Sequence, residues 1–312
     1  MYLLALISYL PMNSLYAIKA VSCLFDFAMA VLVFRWVYEE TADREKAVLG
    51  YALILFAPTV WLNSSFWAQC DAGYAYFLLL AVYWLIRRKQ ALGMVFVGLA
   101  FCLKLQTVFL APFLFWLWLE RKLRFRFFLI IPLAYLFSAV PAILMGASPS
   151  ALLTVYFEQT KSYLALSLEA ANAASLIAGY YSDRMSLAFI VLTAVVLGMS
   201  VYVLYLRGKI FSTALFVSVA YYFLLCAPLF LPRMHERYFY PADVFGLLYV
   251  FFRPKKWYIP AISVSVSLLS YLPFLFGVRV VSQAHLGMLN IGAFLLLVLD
   301  IREQICGAAK RV

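Results

Sequence analysis

Eleven apolar runs, separated by short turns that carry most of the cations, confine this 312-residue chain to one environment. The runs fall near residues 14–36, 47–66, 72–86, 91–103, 106–119, 127–145, 186–206, 210–231, 242–252, 258–276 and 286–301. A helix of ~20 apolar residues crosses a bilayer. With 67% hydrophobic and 12% charged residues, against roughly 25% charge in soluble domains, a water-soluble globule is excluded. The pattern predicts an all-α fold, a polytopic transmembrane helical bundle of about 11 spans that include short hairpin helices. Residues 1–312 form a single integral-membrane domain in this reading. The one sizeable loop, 146–184, reads as one or two amphipathic helices with Leu152, Val155, Tyr156, Leu164 and Leu168 on the apolar face. That loop serves as a plug on the membrane surface or as a lid over an outer cavity.

Charge sets the orientation. The turns at 87–89, 120–126, 207–209 and 253–256, the tail from 302, and Arg35, Arg44 and Lys46 hold all but seven of the 25 Lys and Arg. The positive-inside rule makes that side cytoplasmic, with the C-terminus on it. Segments 63–71, 146–184, 232–241 and 277–285 then lie outside. The net charge of +11 is thereby assigned to topology and excludes nucleic acid as a partner. Two arms, 91–103 and 106–119, lie between basic turns and are only ~20 Å long each, short of the ~30 Å core. They predict a short hairpin with Lys104 and Gln106 at its tip, facing protein or a wet cavity.

Charges that interrupt apolar sequence are site candidates, because placing them in a membrane is expensive. Near the outer end of the second run, Asn63, Ser64, Ser65, Gln69 and Asp71 suit sugar hydroxyls, and Trp61 and Trp67 suit a pyranose face. The simpler reading makes Asp71 a helix cap and the tryptophans interfacial anchors. Lys104 needs a carboxylate or a phosphate. Arg233 and Arg237, four apart, would share a helical face and offer planar forks to phosphate oxygens. His235 and Glu236 between them would relay a proton or orient the cations. Asp243, close behind Pro241, reads as a cap and His285 as a loop residue. The five cysteines have no metal-ligand spacing.

Three of these stretches, in order, resemble motifs of the GT-C superfamily of integral-membrane glycosyltransferases, which use polyprenyl-phosphate sugars. NSSFWAQCD at 63–71 is similar to an N-x-x-x-W-G-Q-x-D motif, with Ala68 where glycine is usual. FCLKLQ at 101–106 is similar to F-x-x-K-x-Q, and MHERY at 234–238 to a late H-E-K/R motif. The likeness is nearest to bacterial, Firmicute-type mannosyl- and glucosyltransferases of the plasma membrane. It implies transfer of a hexose from a polyprenyl-phosphate donor to a glycan or glycolipid acceptor on the extracytoplasmic face. It also implies catalytic roles for Asp71, His235 and Glu236, and substrate contacts at Asn63, Trp67, Gln69, Lys104, Gln106, Arg233, Arg237 and Tyr238. No cofactor is required, and a divalent metal has no ligand cluster to support it. The superfamily's usual acidic residue lies in the loop after its first span. Residues 2–11 resemble the end of that loop, which implies a span upstream. The alternatives are a lipid-linked glycan flippase and a catalytically dead fragment of the transferase family.

Overall fold

The computed structural model describes residues 5, 7–9, 11–160, 165–177, 182–207 and 212–309. Leu164 and residues 2–4, to which the sequence assigned a helix face and a loop end, lie outside them. The described chain is all-α apart from one two-residue strand pair. Its α-helices are α1 (Ser14–Thr41), α2 (Arg44–Phe56), α3 (Pro58–Trp61), α4 (Asp71–Ile86), α5 (Gln90–Leu103), α6 (Ala111–Leu119) and α7 (Ile130–Leu144). They continue with α8 (Pro149–Thr160), α9 (Asp183–Arg207), α10 (Thr213–Phe230), α11 (Tyr240–Phe252), α12 (Tyr258–Phe276) and α13 (Gln283–Ala309).

Among the described residues, six helices are long and apolar enough to cross a membrane, or seven if α2 and the following Pro58–Phe66, bent by 42°, count as one. Asp71–Ile86, Gln90–Leu103 and Leu105–Leu119 are shorter. By length and composition, six or seven of the eleven apolar runs meet this standard among the described residues.

Local chemistry explains the boundaries. Asn13 caps α1, its side chain accepting from the Leu15 N–H at 2.9 Å. Asp43 caps α2 by accepting from the Lys46 N–H at 3.1 Å. The Lys46 hydrogen bonds hold the Asp43 carboxyl below its usual range. Helix α2 stops at Ala57, extended at φ −60°, ψ 124°, because the residue before a proline avoids the helical region. Pro58 then opens α3, where its missing N–H costs nothing.

Helix α10 is the centre of the bundle. Its residues from Leu215 to Leu229 are all buried, as expected of a helix that is apolar all round. It packs against α11, α13 and α9. Close approach elsewhere relies on small residues, since lipid is as apolar as leucine and contact area alone does not hold membrane helices together. A Cβ on Gly246 of α11 would stand 2.9 Å from the Pro260 side chain of α12. The two short arms are not a self-packed hairpin: α5 lies against α4 and α7, whereas α6 lies against α9 and α10.

Segment 146–184 is helical only in part. Tyr135 and Tyr156 fasten α8 to its neighbours, with the Tyr156 hydroxyl on the Phe101 carbonyl at 2.6 Å and Tyr135 on that of Leu152 at 2.6 Å. Val155 is exposed. Leu168, expected on a helix, is in strand β1 (Ser167–Leu168), which pairs in parallel with β2 (Met234–His235). Asn172 donates to the Leu231 carbonyl at 3.1 Å. Asn290 donates to that of Ala171 at 3.1 Å. The stretch from 166 to 175 is therefore built into the fold, with Leu166, Ala170, Ala171 and Ala174 buried.

Candidate functional site

The three stretches singled out in the sequence meet at one end of the bundle, each delivered by a break in helical structure. Past Trp61 the chain winds into a π-helix over Leu62–Phe66, and the Trp67 N–H reaches the Leu62 carbonyl at 2.8 Å. Such wide turns are rare and cluster at functional sites. This one turns Asn63 and Ser64 inward, both fully buried. Ala68 then ends the winding with φ +60°, the left-handed conformation that favours glycine.

Asp71 begins α4 but does not cap it; Cys70 is the cap residue and offers no side-chain bond. The Asp71 carboxylate, 1% exposed, accepts from Asn63 Nδ2 at 3.0 Å and pairs with Lys104 Nζ. Lys104 is extended (φ −156°, ψ 134°) between α5 and the 3-10 helix Leu105–Leu110, so its side chain leaves the helical surface and points into the bundle. Its ammonium lies 5.3 Å from the ring centres of both Tyr74 and Tyr238, a favourable setting for a cation.

The third stretch departs from expectation. Arg233 and Arg237 do not share a helical face, because Arg233 has φ +61° and Met234–His235 pairs with β1. Residues Glu236–Phe239 form a 3-10 turn. Arg237 Nη1 stands 3.3 Å from Glu236 Oε1 and His235 Nδ1 3.9 Å from Glu236 Oε2. Arg237 lies over Trp67 at 5.6 Å and near Tyr238 at 5.9 Å. Trp67 is also held by Tyr271 at 5.5 Å and Phe274 at 4.7 Å. It is half-buried, with these rings and Arg237 against part of its surface.

Lys104, Tyr238, Arg237, His235, Glu236, Trp67, Asn63 and Asp71 are thus one contact network. Arg233 leans outward, 3.8 Å from Asp183. Gln69 contributes its backbone, whose carbonyl accepts from Ser22 at 2.8 Å. Gln106 follows Lys104 in the 3-10 helix, half-buried. His285 is in the first turn of α13. Asp243, read as a cap, instead accepts from Ser267 of α12 at 3.0 Å. Sequence reading missed Tyr74, one turn after Asp71 on the same helix face; Asp26, which the sequence offers as a charge on the first span that pairs with neighbours, does so. That buried carboxylate accepts from Ser64 and, at 3.3 Å, from Tyr240. The adjacent Asn63 and Ser64 therefore each hold one buried carboxylate.

The network is layered by charge. Asp71 and Glu236 side chains are 1% and 4% exposed, while those of Lys104 and Arg237 keep 23% and 22%. A buried carboxylate behind each cation fixes its position and leaves its outer side for an anion. Among the described residues no cluster of three or more His, Cys, Asp or Glu is placed to hold a metal ion. No protein-family model and no curated protein matches the chain.

Proposed function

We propose that this chain is a membrane-embedded enzyme whose cluster of buried carboxylates and partly exposed cations binds a lipid-linked phosphate. Within that class we read it as a hexosyltransferase that uses a polyprenyl-phosphate sugar and a glycan or glycolipid acceptor. The cluster faces the extracytoplasmic side of a bacterial plasma membrane in this reading. One observation carries it: Lys104 and Arg237, each backed by a buried carboxylate, border the same Tyr238 ring. Two fixed cations around one aromatic plate suit a phosphate headgroup. The ordered resemblance of the three stretches adds the sugar.

In the reaction the acceptor oxygen attacks the sugar C1, and the C1–O bond to phosphate breaks. The electron pair stays on the departing polyprenyl phosphate, where Lys104 and Arg237 meet the developing charge. His235, beside Glu236, takes the acceptor proton. Asp71 and Glu236 hold the cations in place in this scheme.

The test supplies the purified protein in vesicles with polyprenyl-phosphate glucose or mannose. Consumption of one donor, lost in Lys104→Gln and Arg237→Gln, is the expected result. Movement of intact glycan-lipid across the vesicle with no donor consumed would establish the flippase instead.

A further inference from the structure

We propose that the turns at 87–90 and 120–126 form one docking surface for anionic phospholipid headgroups, at the end of the bundle opposite the candidate site. Helix α4 runs from Asp71 to Ile86, and α5 returns from Gln90 to Leu103. The surface and the site are therefore about one helix length, ~20 Å, apart. The Arg124 N–H donates to Gln90 Oε1 at 3.1 Å, and the 3-10 helix Phe125–Leu129 packs on α5. This joins two turns that are over thirty residues apart in sequence.

Arg88, Lys89, Arg121, Lys122, Arg124 and Arg126 are all exposed there. At this end Arg35 and Arg87 are answered by Glu39, Lys46 by Asp43, Arg253 by Asp300 and Lys256 by Glu303, while Arg44, Lys255 and Arg302 are exposed on three separate elements. By contrast, Arg88, Lys89, Arg121, Arg124 and Arg126 form no ion pair among the described residues. Six cations on two joined turns attract multiple phosphates, and each contributes through its proximity to the charged leaflet.

The neighbouring surface points to lipid in place of another polyanion. Phe125 begins a 20-residue apolar helical stretch, Phe125–Leu144, in which Ala139 is the one buried residue. That helix must lie against acyl chains, which sets the adjoining cations at headgroup depth. Phe125 and Leu129 are exposed beside them. A cleft of about 410 Å³, lined by Leu119, Glu120, Arg121, Tyr205 and Leu206, opens next to Arg121. Leu119, Tyr205 and Leu206 give it an apolar side for the upper part of an acyl chain, with Glu120 and Arg121 on its polar side.

The experiment titrates the full chain in neutral detergent with phosphatidylglycerol or phosphatidylcholine, reading bound lipid by native mass spectrometry. The wild-type protein should prefer phosphatidylglycerol. The R88Q/K89Q/R121Q/R124Q variant should bind it at least about tenfold more weakly. A K255Q/R302Q control, with exposed cations removed from other elements, should bind as wild type does. Equal binding of the two lipids, undiminished affinity in the quadruple variant, or an equal loss in the control would overturn the proposal. Should the quadruple variant not fold, salt decides. Phosphatidylglycerol affinity of the wild-type protein should fall between about 0.1 M and about 1 M salt, as the screening length shrinks from about 10 Å to about 3 Å. Salt-independent affinity would equally overturn it.

Discussion

Lys104 and Asp71, 33 residues apart, form an ion pair in which the carboxylate is buried and the ammonium keeps 23% of its surface. The asymmetry matters because the two partners lose different things when separated. A freed Lys104 can turn toward water, while a freed Asp71 cannot.

Lys104→Met should therefore destabilise the protein toward the lower end of about 3–5 kcal/mol, the usual cost of stranding one member of a buried pair. Asp71→Asn should cost less, since Asn63 still has a polar partner and Lys104 reaches solvent. The double variant should recover part of the Lys104→Met loss. A double-mutant cycle on unfolding midpoints in detergent reads the coupling; strictly additive losses would show that the pair is not energetically coupled.

Ala68 occupies the left-handed region at φ +60°. The conformation costs a non-glycine residue roughly 1–2 kcal/mol, and glycine's extra chain entropy offsets roughly 0.5–1 kcal/mol of the relief. Ala68→Gly should raise stability by up to about 1 kcal/mol, whereas Ala68→Val should lower it. A thermal unfolding series that ranks valine above glycine would contradict this backbone argument.

Gly287 on α13 lets the segment around Asn172 and Ser175 come close. A Cβ there would fall 2.7 Å from the Asn172 carbonyl oxygen and 2.6 Å from Ser175 Oγ. Gly287→Ala should cost about 1–3 kcal/mol through overpacking and loosen residues 170–175. Hydrogen exchange should report faster exchange at Ser175, whose N–H donates to Asn172 Oδ1 at 3.0 Å. Unchanged protection would mean that the helix gives way instead.

Asp43 gives the pH dependence. Its folded pKa lies below the ordinary ~3.9 because Lys46 hydrogen-bonds the charged form. Its contribution to the start of α2 is therefore present at neutral pH. It is lost as acid carries the solution down through the lowered value. The protection factor of the Lys46 amide should fall on that descent, and Asp43→Ala should remove the pH dependence.

How much of this was legible in the residues follows from the range of the forces involved. Apolar run length, cation placement and the prolines at 58, 232 and 241 act within a few residues. The helix positions, the two-ended distribution of charge and the breaks around the site were readable from them. Asp71, Lys104 and Glu236 stood out because each puts a charge into apolar sequence.

The rest is nonlocal. That Asp71 serves Lys104 and does not cap its helix depends on where α5 ends relative to α4. The pairing of β1 with residues 234–235 removed the helical face predicted for Arg233 and Arg237, and no local signal announces a partner 67 residues away. Nor does any local signal place Phe274 of α12 against Trp67. A chain by itself determines which segments prefer lipid and which side chains resent it. Only the packed bundle decides which buried charges meet, because a side-chain pair costs or stabilises according to its distance and burial, and neither is a property of sequence.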